Sequence, residues 1–171
     1  MKSRIVILSA LLLGACAAYN GHGLKPGDDR LENVLQAMGQ PAMRWQDADG
    51  SVQFAYPRGP MGFHTFMVQI GPDGKLRQIE DVMDQKSFAR IQPGMNKEQV
   101  LHILGPSYPG WTAYFKARDE LVWEWRYCDA WNAAARFDVL FDNSLSTVRS
   151  TMSQTDEQMG LCGNGSCSCG H

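Results

Sequence analysis

The run Ile91-Gln92-Pro93-Gly94-Met95-Asn96-Lys97-Glu98-Gln99-Val100-Leu101-His102-Ile103-Leu104-Gly105-Pro106 decides how the rest of the chain is read. Pro93-Gly94 is a turn. Asn96 stands where a helix N-cap accepts from a backbone N–H two or three residues on, and Gln99 is placed to reach back, which makes a capping box. Val100, Ile103 and Leu104 then fall at helical spacing and predict one buried stripe. Gly105 supplies the stop and Pro106 cannot continue the helix, because it lacks the N–H and clashes with the preceding turn.

The same order occurs earlier in the chain. Leu24-Lys25-Pro26-Gly27 parallels Ile91-Gln92-Pro93-Gly94, and Asn33–Gly39 parallels Gln99–Gly105. Asp29 and Glu32 are read as the capping box of this first helix, whose apolar stripe is Leu31, Val34, Leu35 and Met38. A tryptophan follows each helix-ending glycine by six residues, Trp45 and Trp111. Phe54 and Tyr56 then match Trp123 and Trp125, and Phe66, Val68 and Ile70 match Phe137, Val139 and Phe141. The offset drifts between 66 and 71 residues, the amount that small loop insertions produce.

After each helix the period changes from helical to two. Strands are predicted at about 42–47, 51–57, 63–71 and 75–82, and again at about 110–116, 121–128, 134–141 and 145–150. Asp47-Ala48-Asp49-Gly50, Pro72-Asp73-Gly74 and Asp142-Asn143-Ser144 carry turn chemistry between them. The expected class is therefore α+β, as two tandem helix-plus-antiparallel-meander units.

The glycine-methionine turn, the capped helix and the Leu-Gly stop of residues 91–106 resemble the pattern I-x-x-G-M-[ST]-x-x-x-V-x-x-x-L-G-x-P. That pattern opens the BamE (SmpA/OmlA) outer-membrane lipoprotein domain. Trp123–Tyr127 and Phe137–Asp142 look like its later strands. Asn96 replaces the usual Ser or Thr, and Pro106 follows the glycine directly. The resemblance covers about 90–150 well and 24–85 more loosely. A tandem pair of such units also resembles the architecture of the β-lactamase inhibitor protein. The resemblance implies a non-catalytic lipoprotein that binds other envelope proteins, with components of β-barrel assembly as candidate partners.

The N-terminus supports an envelope address. Met1-Lys2-Ser3-Arg4 is basic, Ile5–Leu13 is apolar, and Leu13-Gly14-Ala15-Cys16 looks like a lipobox in which cleavage precedes a lipid-bearing Cys16. Several acyl chains on one cysteine give the two-signal anchoring that a single chain lacks. Ala17 after the cysteine, rather than Asp, resembles outer-membrane sorting, so the expected location is the outer membrane, lipid-anchored and periplasm-facing. Loss of Lys2 and Arg4 would take the formal charge from −2 to −4. With 16 Lys+Arg against 18 Asp+Glu and no basic run, the chain lacks the phosphate-neutralising charge of a nucleic-acid binder. The expected organisation is a leader over 1–15, a tether over 16–23, BamE-like units over 24–88 and 89–152, and a cysteine-rich tail over 153–171.

The tail contains Cys162, Cys167, Cys169 and His171 within ten residues. Thiolates with an imidazole suit zinc or Cu(I). In an oxidising compartment the same thiols, joined by Cys128, make an even set of four for disulfides once Cys16 is lipidated. Both readings stay open. His22, His64 and His102 do not converge, and neither a G-x-S-x-G turn nor an H-E-x-x-H helix is present, so no enzyme is expected. Trp123, Trp125 and Tyr127 share one strand face, read as packing beneath a helix. Met61 and Phe63, in the proline-glycine link after Tyr56, and Trp131, in the corresponding loop, are the candidate partner-contact rim. The expected function is a binding scaffold or accessory factor in envelope assembly. Alternatives are a metal-handling or thiol-redox lipoprotein acting through its tail, and an inhibitor of a periplasmic enzyme.

Overall fold

Alternation of apolar and polar residues is the dominant signal in the chain, and it builds two antiparallel sheets. The structure, a computed structural model, describes residues 20–58, 62–163 and 167–169. The expectations for Cys16, Met61 and His171 lie outside the described residues. The first sheet is a meander of β1 (Met43–Gln46), β2 (Val52–Pro57), β3 (Thr65–Ile70) and β4 (Leu76–Asp81). The second is β5 (Ala113–Phe115), β6 (Glu120–Cys128), β7 (Ala134–Asp142) and β8 (Thr147–Thr155), again in sequence order. Helices are short: α1 (Leu31–Met38), α2 (Gln85–Phe88) and α3 (Lys97–Leu104). No helix among the described residues is long and apolar enough to cross a membrane.

This corrects the expected α+β class. The two four-stranded sheets carry a β-rich fold, and the helices, at most eight residues each, are fillers rather than the defining half of a helix-plus-meander unit. Helices of that length do not persist without tertiary packing. The periodicity of Val100, Ile103 and Leu104 located a helix correctly while overstating its share of the architecture.

Packing is layered. α1 covers one face of the first sheet, burying Val34 and Met38 against Phe54, Tyr56, Val68, Ile70 and Leu76. The opposite face, with Ala55 and Met67, meets Val100 and Leu104 of α3, and α3 in turn lies on Trp125, Tyr127, Phe137, Val139 and Phe141 of the second sheet. One core is therefore shared by the two sheets, beside a separate one that α1 buries against the first sheet. Its large apolar side chains each contribute about 1.5–3 kcal/mol relative to exposure. The connection between the sheets belongs to this core. Val82, Met83, Phe88 and Ile91 are all buried, and the Phe88 ring stacks on Phe137 at 4.1 Å between centroids.

The cap of α3 is the expected one: Asn96 accepts from Gln99 N and Gln99 Oε1 accepts from Asn96 N, both at 2.9 Å. That of α1 is displaced. Arg30 is the N-cap and its N–H donates to Asn33 Oδ1 at 2.9 Å, while Asp29 instead accepts from Lys25 N.

Candidate functional site: a cleft between the two sheets

β5 pairs only with Glu120–Val122, so along the rest of that edge, from Trp123 to Cys128, β6 has no strand partner among the described residues. A cleft of about 380 Å³ opens there. One wall is the Pro106–Trp111 turn, the other is the end of β2 and start of β3, and Glu124, Trp125 and Arg126 of β6 complete the lining. Local chemistry explains the turn. Gly105 ends α3 with φ +72°, its backbone close against Ala55 and Thr65. Its carbonyl accepts from Trp125 Nε1 at 3.3 Å, which ties the end of α3 to β6. Pro106 and Pro109 then cannot donate to a sheet ladder and turn the chain away from the strand edge. Tyr108 and Trp111 meet edge to face at 4.7 Å.

The outer face of β6 and β7 brings a charged cluster to this cleft. Glu124 Oε1 accepts from Arg136 Nη1 at 2.7 Å, Arg136 Nε donates to Asp156 Oδ1 at 2.7 Å, and Arg126 Nη2 donates to Asp156 Oδ2 at 3.1 Å. The Arg126 guanidinium lies 4.2 Å over the Phe63 ring and that of Arg136 5.1 Å over Trp111. Glu124 is 9% exposed, Asp156 4% and Asp138, opposite Glu124 in the register, 6%. Burial raises the Glu124 carboxyl above its ordinary range, against the attraction of Arg136. Burial, then the neighbouring Glu124 charge, pushes Asp138 up to about 6 despite Arg136. Asp138 Oδ1 has no hydrogen-bond partner among the described residues.

At the cleft edge His64 Nδ1 sits 2.5 Å from Asp81 Oδ2. Asp81 also accepts from Thr65 N at 3.2 Å, so it ties the start of β3 to the end of β4.

The residues singled out from sequence are only partly brought together. Cys128 is joined to Cys169 and Cys162 to Cys167, with Cα separations of 6.0 and 5.2 Å. The tail returns along the β6–β7 hairpin, where Ala134 N donates to Cys167 O and Cys169 N to Asn132 O. With all four thiols in disulfides, the set does not fit zinc or Cu(I) in this state, which needs thiolates. Among the described residues no group of three or more His, Cys, Asp or Glu is arranged around a metal position. Phe63 is half-buried beneath Arg126 rather than displayed, whereas Trp131, at the hairpin tip, is 89% exposed. Glu124, Arg126, Arg136, Asp138, Asp156 and Tyr108 were not singled out from sequence. The strand alternation does carry a signal, since the charges occupy every position between the aromatics of β6.

No protein-family model matches the chain, and no curated protein matches it. Among solved structures it is similar to a crystal structure of an extracellular protein containing an SCP domain from Bacillus anthracis str. Ames, at 13% identity and a TM-score of 0.30. The alignment covers 92% of this chain and 52% of that one, so the chain spans about half the length of that protein.

Proposed function

We propose that this chain is a lipoprotein held at the outer membrane through Cys16, facing the periplasm, that works by binding an envelope protein as a non-catalytic scaffold or accessory factor. The observation that carries the reading is the cleft between the sheets. It has aromatic side chains in its lining, a strand edge without a strand partner among the described residues and a set of buried charges fixed by one another, the mixture of apolar surface and few oriented polar groups that recognition sites use. The two disulfides support an oxidising compartment. The resemblance of residues 91–106 to the BamE opening pattern supports envelope assembly as the setting.

The test is site-directed photo-crosslinking in the native envelope from a photoreactive residue at Tyr108, with Leu145, an exposed side chain in the β7–β8 turn, as control. Recovery of one discrete envelope protein from position 108 and not from 145 is the expected result. A Cys16→Ala chain that still partitions with the outer membrane, or crosslinking at neither position, overturns the proposal.

A second reading is a thiol-redox role for the tail. It is favoured by the Cys162–Cys167 pair, two half-buried cysteines at a sequence separation of 5. Replacing both by Ser abolishes a redox function and leaves partner binding through the cleft intact.

A further inference from the structure

We infer that the open stretch of β8 is a binding surface in its own right, a docking edge for a short extended segment of another protein, which adds to the second sheet as an antiparallel strand. It lies on the far edge of that sheet from β5 and does not depend on the reading of the cleft.

Alternation fixes where the main-chain groups of β8 point. Asp156 N donates to Ala134 O. Gln154, Met152 and Ser150, opposite Arg136, Asp138 and Leu140, therefore turn their groups toward β7, and Thr151 and Ser153 turn theirs to the open edge. Those outward groups have no partner among the described residues, and both residues are exposed. The chain itself closes the two ends of the edge. At one end Gly94 N donates to Val148 O and Val148 N to Met95 O; at the other Gln158 Oε1 accepts from Thr155 N and Met159 N donates to Thr155 O. Between them Ser150–Gln154 carries no charge and no proline. Sheets ordinarily blunt an edge by charge, proline or brevity. Here β1 and β5 are four and three residues long and β4 carries Arg77, Glu80 and Asp81, whereas the middle of β8 has none of these protections.

The closed ends decide the occupant. Two copies paired antiparallel through β8 about a two-fold axis at Met152 would set Asp156 of one where Met95 of the other already bonds Val148. Sliding the axis along the strand drives Met95 or Gln158 into the opposing chain instead. The gap is also only five residues long, against about 20–30 residues a side in a standard interface between folded proteins. A short extended segment fits both limits, with main-chain hydrogen bonds supplying the affinity. The pleat sets its chemistry. The residues opposite Thr151 and Ser153 each donate and accept, so neither is proline. The residue between them lies beside Met152, 43% exposed, at the closer spacing of a non-hydrogen-bonded pair, which favours a large apolar side chain there. Its two neighbours sit beside the hydroxyls of Thr151 and Ser153, where β-branched residues fit the pleated surface.

The experiment titrates the oxidised full chain with the end-capped peptide Ser-Val-Leu-Val-Ser and follows the backbone amides by NMR. The control is the same peptide N-methylated at both valines, which keeps the side chains and loses the two donors. The expected result is saturable binding with the largest shifts, and slowed amide exchange, at Thr151 and Ser153. N-methylation should weaken it by about tenfold or more. Thr151→Pro removes an N–H that faces the edge and no bond to β7, a place where sheets accept proline, and should weaken binding by a similar factor. If that variant does not fold, the contrast between the two peptides on the unaltered chain decides. Equal binding of the two peptides, no saturable binding, or shifts confined to Tyr108 and Trp111 in the cleft overturns the inference. So does a concentration-dependent dimer in sedimentation that Thr151→Pro abolishes, which would give the edge to a second copy. None of these outcomes bears on crosslinking from position 108, so the two readings fail separately.

Discussion

Asp138→Asn should make this protein more stable at neutral pH, and the size of the gain can be worked from its surroundings. Asp138 is 6% exposed on β7, faces Glu124 across the register, and leaves Oδ1 without a partner among the described residues. Its carboxyl is pushed from 3.8 to about 6, by burial first and then by the Glu124 charge. Each unit of such a displacement corresponds to about 1.4 kcal/mol, so the ionised group destabilises the fold by up to about 3 kcal/mol above pH 6. The sign follows from proton binding. Between 3.8 and about 6 the folded chain holds a proton that the unfolded chain has released, so stability falls as pH rises through that window and the penalty is complete above it. An amide at position 138 carries no charge to desolvate, and its N–H₂ faces an acceptor in Glu124. The assay is urea and thermal unfolding of the oxidised protein at pH 7.5 and pH 4. At pH 7.5 the variant should gain about 1–3 kcal/mol, equivalent to a Tm increase of about 3–10 °C for a chain of this size. At pH 4 the gain should shrink to well under 1 kcal/mol, because the folded carboxyl is already protonated. A gain of equal size at both pH values, or a loss at pH 7.5, would refute the reasoning and place the effect in packing rather than charge.

Two further outcomes follow from the covalent and backbone geometry. The Cys128–Cys169 disulfide spans a separation of 41 residues and Cys162–Cys167 one of 5. On loop-closure grounds, replacing the first pair by Ser should cost about 4 kcal/mol and the second about 2 kcal/mol, read from urea midpoints. The first replacement should also speed amide exchange at Ala134, whose N–H is bonded to the returning tail. Gly105→Ala forces φ +72° on an alanine and sets its Cβ 2.9 Å from Thr65 Cγ2 and 3.3 Å from Ala55 Cβ. The expected cost is about 2–4 kcal/mol, against about 1–2 kcal/mol for Gly94→Ala, where φ is also positive but the space is open. Equal costs at the two sites would show that the close approach of α3 to the first sheet contributes nothing.

What could be read from the sequence was local. The strands were legible because each alternates over several residues between turn signals, and the α3 cap because Asn96 and Gln99 have the right identities at the right spacing. The class was misjudged because periodicity reports the type of an element and not its weight: an eight-residue helix and a twelve-residue one look alike in the pattern of apolar residues. The short α2 went unseen because Gln85–Phe88 is one turn, too brief for a period to show. The last residues of β8 were missed because Thr151, Met152 and Ser153 are exposed on both faces and do not alternate. The charged half of the cleft was hidden for another reason. Glu124, Arg126, Arg136 and Asp138 occupy what strand parity marks as the solvent side, where charges need no explanation. Only the folding of Pro106–Trp111 over that side, together with Asp156 arriving from the end of β8, turns an ordinary wet face into a buried one.

The buried connection between the sheets has a kinetic consequence. Val82, Met83, Phe88 and Ile91 wedge the stretch that joins β4 to α3 into the common interior, so the sheets cannot swing apart without opening that interior to water. A hinge is therefore absent from the place where a two-bodied binder would keep one. If the cleft binds a protein as proposed, it would do so preorganised, with little ordering entropy left to be lost on docking. Association should then run at the rate set by orientation and charge alone, about 10⁵–10⁷ M⁻¹s⁻¹, in a single phase with no slower closing step behind it.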